Sequence, residues 1–251
     1  MTSTEKMLVL LGLLVLAIVP GCSQGPPVLT PPSVLRSPYD SSRGEVVFAV
    51  APLANESGTT VFQPDTVTDA LVQAVSEVEG LTCLPLNRTL AVMRGMGLRE
   101  LRSPREVSAL ADALGVDGLI VGAITAYDPY DPPTLGLTLA LHAGPISGSG
   151  SLNIDELRGS VTDPDAPEAH RYLESPIATA SKVYSARNHA VQIDIRNYAE
   201  GRSDPSAPRG WQTYMASMPL YTEFVTHATV GRLLDEERLR LARARRPESS
   251  R

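Results

Sequence analysis

From Glu45 onward the apolar positions keep two different rhythms, and the change from one to the other marks out elements. Val46 to Leu53 is a short, β-branched and apolar run of the kind a buried strand shows. Asn55-Glu-Ser-Gly58 follows as a turn. From Asp65, the residues Val67, Leu71, Ala74, Val75 and Val78 fall on one face of a helix, which Gly80 stops. Leu81 to Leu86 reads as a second strand, and Asn87 as the N-cap of a short helix ending near Met96. Ser103-Pro104-Arg105-Glu106 combines an N-cap serine, proline at the first helical position and glutamate three residues after the cap, which is a capping box. Val107, Leu110, Ala111 and Leu114 form the stripe of that helix, and Gly115 closes it.

The rhythm then shortens again. Gly118 to Tyr127 is a strand apolar enough to be central, and Asp128 to Pro133 turns the chain. Leu135, Leu137, Leu139 and Leu141 alternate with Gly136, Thr138, Ala140 and His142, a half-buried strand that folds back as a hairpin. This order predicts an α/β fold over residues 45–144, with a mixed sheet of about four strands backed by helices. Residues 145–175, rich in Gly, Ser, Pro and Asp, read as a long loop. Residues 176–246 read as a helical C-terminal extension, with one or two helices between Ile177 and Tyr198. A long helix follows from Ser217, with Tyr221, Phe224, Val225 and Ala228 on one face and Leu234 and Leu241 extending it. Residues 247–251 are a short tail.

The start of the chain has no such rhythm. Lys6 precedes an uninterrupted apolar run from Met7 to Val19, followed by Pro20-Gly21-Cys22. The run is shorter than the roughly 20 residues that cross a bilayer as a helix, and it lacks the polar face of a packed one. It is the h-region of a secretory signal, which makes residues 1–21 a signal peptide. Val19 to Cys22 resembles the bacterial lipobox, so Cys22 is the expected lipidation site, acylated by palmitate and related chains, and the new N-terminus. Two or more acyl chains hold such a protein stably on a membrane. Ser23 follows the cysteine where an inner-membrane retention signal would place Asp, which favours the outer membrane, facing the periplasm. Residues 22–44, polar and rich in proline, read as a flexible tether.

Composition narrows the chemistry. A hydrophobic share of 43% supports a real core, and a net charge of −6 offers no broad basic face for nucleic acid. Besides Cys22 there is one cysteine, Cys83, set in an apolar segment as a small buried hydrophobe. The histidines, His142, His170, His189 and His227, stand singly with no second His or Cys at metal-ligand spacing, so neither a metal nor a cofactor is expected. Gly144 to Ser151 lacks the Lys-Ser/Thr of a phosphate loop and the G-x-S-x-G of a nucleophile elbow. Asp117, Asp128 and Asp131 flank the strand 118–127 and are the candidates for acid–base work, though Asp also suits turns for local reasons. Arg238, Arg240, Arg243, Arg245 and Arg246 make the C-terminal end basic, where they complement a helix dipole or meet an anionic surface. Trp211, Tyr214, Tyr221 and Phe224 gather as core aromatics, with Trp211 placed to serve a partner surface.

Val46-Val-Phe-Ala-Val-Ala-Pro-Leu-Ala-Asn-Glu-Ser-Gly58 resembles the opening motif of a group of envelope proteins. That group includes the curli-secretion lipoproteins, the N-terminal domain of the Tol-Pal translocation protein and the lipoprotein activators of penicillin-binding proteins. Ala111 to Tyr127 is similar to a second segment of the same group. The resemblance implies an α/β domain and a role in binding or assembly, with an envelope protein or further copies of the chain as partner, and it implies no enzyme activity. Two other readings are a hydrolase of envelope polymers acting through Asp117, Asp128 or Asp131, and a subunit of an export apparatus.

Overall fold

The computed structural model describes residues 30–40, 44–144, 175–204 and 206–244. The expected signal peptide, Cys22, most of the loop after Gly144, His170, Arg245 and Arg246 lie outside these residues. The described residues from Pro31 onward form one compact unit. Its strands are β1 (Val47–Val50), β2 (Ala54–Asn55), β3 (Thr82–Cys83), β4 (Gly118–Asp128), β5 (Thr134–Ala143) and β6 (Ala178–Ser185). Among the described residues the α-helices are α1 (Pro64–Ser76), α2 (Leu86–Gly95), α3 (Pro104–Leu114), α4 (His189–Ala199), α5 (Thr213–Ala216) and α6 (Met218–Ala244).

The fold is α/β, built on one mixed sheet in the order β3-β1-β4-β5-β6, with β2 beside the far half of β4. β1 runs parallel to β3 and β4, whereas β4-β5 and β5-β6 are antiparallel. Pleating sends alternate residues to two cores. Phe48, Val50, Ile120, Ile124 and the four leucines of β5 meet α1, α4 and α6 on one face. Ala49, Ala51 and Leu119 meet Met93 of α2 and Val107, Leu110, Ala111 and Leu114 of α3 on the other. β1 is buried on both sides, which explains its unbroken apolar sequence.

The local signals of α3 are realised in atomic detail. Ser103 Oγ accepts from the Glu106 N–H at 3.3 Å, and Glu106 accepts from the Ser103 N–H at 3.1 Å. Gly115 ends the helix at φ 66°, a left-handed conformation in which a side chain would be strained. Along α6, Tyr221, Phe224, Val225, Leu234 and Leu241 are buried as their spacing predicts. Thr222, Thr226 and Thr229 are buried with them because each hydroxyl donates to the carbonyl four residues earlier, at 2.7 to 3.0 Å. No helix among the described residues is long and apolar enough to cross a membrane.

Three expectations need correction. The first half of Ile177 to Tyr198 is a strand, so the sheet has six strands where about four are expected from pattern alone. Ala178, Ala180 and Tyr184 point inward while Thr179, Ser181 and Val183 point out, a period of two. β5 offers a free side, and all eight residues of β6 pair with it. Helix α4 starts only at His189, where the Asn188 side chain accepts from the Ala190 N–H at 2.9 Å.

Next, the segment expected to remain a tether up to residue 44 is already part of the fold before that point. Tyr39 is buried with its ring edge-on to Phe48 at 6.0 Å, and the Ser37 N–H donates to the Glu79 carbonyl at 2.9 Å. An aromatic ring gains too much by leaving water to stay on a solvated linker. Lastly, the strand expected over Leu81 to Leu86 shrinks to two residues. Pro85, which has no N–H for a ladder, takes the N-cap of α2 that Asn87 was expected to hold.

Candidate functional site

The three candidate carboxylates do not form one site. Asp117 and Asp128 lie at opposite ends of β4, about 35 Å apart at roughly 3.3 Å per residue. A glycosidase pair is held within about 10 Å. Asp117 Oδ2 accepts from the Val47 N–H at 2.8 Å, so its role is to pin the start of β1. Asp128 Oδ1 accepts from the Tyr130 N–H at 3.1 Å, a turn contact. Asp131 is exposed in the same turn. No three His, Cys, Asp or Glu side chains gather around a possible metal position among the described residues.

The other candidates are likewise separated. His142 is buried in β5, His189 is exposed at the start of α4, and His227 is half-buried in α6 with its ring 4.9 Å from that of Tyr198. Burial first, and the nearby Arg202 cation second, push the His227 imidazole down to about 4, so it is neutral at ordinary pH. Cys83 is half-buried, and burial pushes its thiol up to about 11, which keeps it a poor nucleophile. Tyr214, Tyr221 and Phe224 are core residues, and Trp211 packs partly buried against them.

Two features at opposite ends of the sheet stand out instead. Where β4 begins, Glu237 is completely buried in α6. Its carboxylate accepts two hydrogen bonds from Arg240, at 2.6 and 2.7 Å, and one from the Tyr39 hydroxyl at 3.1 Å. Arg36 pairs with Glu79 at 2.8 Å, and Arg238 bonds to the Arg36 carbonyl. Arg202 donates to the Ser33 carbonyl at 2.9 Å and lies 4.4 Å over the Tyr198 ring. Ser33, Arg36, Ser37 and Tyr39, along the chain's entry into the fold, are thus each held by a polar contact.

Where β4 ends, the surface has the opposite character. Asn55 ties its own loop: Nδ2 donates to the Thr59 carbonyl at 2.7 Å, while Oδ1 accepts from the N–H and hydroxyl of Ser57. The Glu56 N–H donates to the Ile124 carbonyl at 2.9 Å. This knot leads into Val61-Phe62. Phe62 stacks on Tyr127 with centroids 3.8 Å apart and planes 12° apart, which joins the loop to the end of β4. Beyond the stacked pair, Val61 is 68% exposed and Tyr130 is 77% exposed. Tyr127 loses enough water to raise its hydroxyl above the usual tyrosine range. The tip is thus an aromatic and apolar surface on a rigid base, the composition enriched at binding surfaces.

Pattern reading overlooked the tip, although signals for it exist. Val61-Phe62 is an isolated apolar pair between a polar loop and a helix start, and Tyr130 is a lone aromatic in a proline turn. Glu237 was also legible: it sits three residues after Leu234 and four before Leu241, on the buried stripe of α6.

No protein-family model matches the chain, and no curated protein matches it. Solved structures do show a likeness. Lipoprotein GNA1162 from Neisseria meningitidis is 14% identical and superposes over 57% of this chain and 85% of its own, with a TM-score of 0.37. A hypothetical protein from Chlamydia trachomatis, CT253, is 12% identical over 80% of this chain and 96% of its own, with a TM-score of 0.34. The LpoB C-terminal domain from Salmonella enterica is 14% identical over 39% of this chain and 72% of its own, with a TM-score of 0.33. Likenesses of this extent assign the chain neither a family nor a function.

Proposed function

We propose that the chain is a non-enzymatic binding module of the bacterial cell envelope, anchored by lipid on Cys22 and engaging a protein partner through Val61, Phe62, Tyr127 and Tyr130. The contrast between the clamped entry and the exposed tip carries this reading. A surface valine and tyrosine at 68% and 77% exposure, seated on a stacked aromatic pair, lose contact with water only when something covers them. The signal segment 1–21 is removed, and residues 22–30 link the anchor to a fold that starts at Pro31. At no more than roughly 3.6 Å per residue, that link holds the entry end within about 35 Å of the membrane. The tip, at the other end of β4, is then free to meet a partner in the periplasm. Ser23 supports the outer membrane as the place of anchorage. The resemblance of Val46–Gly58 and Ala111–Tyr127 to the penicillin-binding-protein activators, the curli-secretion lipoproteins and the Tol-Pal protein supports an envelope protein as partner.

Two variants test the two halves of this proposal. Cys22→Ser abolishes acyl labelling and releases the protein into soluble fractions; a variant still labelled and membrane-bound would refute the anchor. Val61→Asp with Tyr130→Asp keeps the fold, checked by circular dichroism, and loses the cross-linked partner seen with the native chain in intact cells. An unchanged cross-linking pattern would remove the tip from the account.

A further inference from the structure

β6 is the outer strand of the sheet on the side away from β3, and nothing in the described fold is hydrogen-bonded to its outer edge. The Ala186 N–H donates inward to the Pro133 carbonyl at 2.9 Å, which fixes the even-numbered residues of β6 as those bonded to β5. Thr179, Ser181 and Val183 therefore turn both N–H and C=O outward. None of these groups has a partner among the described residues. All three side chains are exposed, Val183 at 53%.

Proteins usually guard such an edge with charge, proline or a bulge. Here the outward residues carry no charge, the strand holds no proline, and its register with β5 is unbroken over eight residues. The one lysine, Lys182, is turned to the core side, 4.5 Å over the Tyr184 ring and 3.7 Å from Asp194 of α4.

We infer that this edge pairs with β6 of a second copy of the chain, antiparallel and two-fold about Ser181. In that register Ser181 faces its twin and Thr179 faces Val183, so outward N–H and C=O groups meet as closely spaced ladder pairs. A two-fold axis perpendicular to the sheet keeps the helix-covered face of both copies on one side and the hydroxyl-bearing face on the other. Charge fits as well: Lys182 is answered by Asp194 of its own copy. The contact is isologous and closes at two copies, leaving both aromatic tips outside it. This inference stands whether or not the tip binds a partner.

Cysteine placement in the full-length, membrane-bound chain tests the register. Paired residues at such a site have Cα atoms about 5.5 Å apart, within disulfide range. After mild oxidation with copper–phenanthroline in intact cells, Ser181→Cys gives a disulfide-linked dimer. Thr179→Cys alone, whose twin is four residues off register, gives none, but it cross-links when co-expressed with Val183→Cys. Adding Val183→Pro to Ser181→Cys removes an outward N–H without breaking a bond to β5, and the dimer is lost while the circular dichroism is kept. Monomer throughout, equal cross-linking at Ser181→Cys and Thr179→Cys, or a disulfide from Ser181→Cys to a protein of different mass would each overturn the inference.

Discussion

The two ends of β4 solve opposite problems with the same kinds of residue. At its start, a tyrosine and a glutamate are paired and buried, and partly exposed arginines bond around them to the incoming chain. At its end, Phe62 lies half-buried on Tyr127, while Val61 and Tyr130 are left facing water. Tyr39 and Tyr130 make the contrast concrete: one buries its ring on Phe48 and donates to Glu237, the other stands 77% exposed. A buried polar cluster stabilises only if every member is partnered, whereas an exposed apolar group costs the free chain little and gains when covered. The entry end is thus organised for stability, while the tip leaves apolar surface uncovered.

Substitutions should separate the two ends by size of effect. The largest loss is expected for Glu237→Ala, which removes the acceptor of both Tyr39 and Arg240. Urea denaturation should show a loss of about 3 kcal/mol, in the range for breaking a buried charge pair. A loss below about 0.5 kcal/mol would place Glu237 among ordinary surface residues and dissolve the contrast.

A pH titration comes next. Because the folded His227 is held near 4, the unfolded chain takes up a proton around 6.5 when the folded one cannot. Stability is therefore complete above about pH 6.5 and falls as the pH drops toward 4, by about 2 kcal/mol after allowance for partial exposure. Glu223, raised by burial and then by Glu77, acts with opposite sign, since its folded form takes up a proton first. His227→Gln should flatten the decline; a decline as steep as in the native chain would assign it to other groups.

Smaller still is Asp117→Ala, which frees the Val47 N–H and should cost about 1 kcal/mol. Asp131→Ala, in an exposed turn, should change stability by less than about 0.5 kcal/mol. Equal losses at both would contradict the structural role given to Asp117. At the bottom of the scale, Val61→Asp and Tyr130→Asp should leave the melting temperature nearly unchanged, with stability within about 0.5 kcal/mol.

Much of the architecture was legible because it rests on local rules. The capping box at Ser103, the alternation of Leu135 to Leu141 and the face of α1 are each written in consecutive residues, and each holds in space. β6 was not legible in the same way. Ala178, Thr179, Ala180 and Ser181 are small residues whose alternation is weak, and only the open side of β5 makes them a strand. In the sequence Tyr39 belongs to a polar, proline-rich stretch, and its partners, Phe48 and Glu237, are nine and 198 residues away. The tip failed for a related reason: the Phe62–Tyr127 stack joins residues 65 positions apart, and neither belongs to a periodic stripe. Asp117, Asp128 and Asp131 show the converse error, in which residues close in sequence are divided by the length of a strand.

The central claim is that the tip, and not the clamped end, meets a partner. Its most direct test is a photoreactive side chain placed at Tyr130 in the full-length protein and, for comparison, at Glu79 beside the chain's entry. After irradiation of intact cells, position 130 should capture an envelope protein that position 79 does not. The same captured proteins at both positions, or none at position 130, would contradict the account.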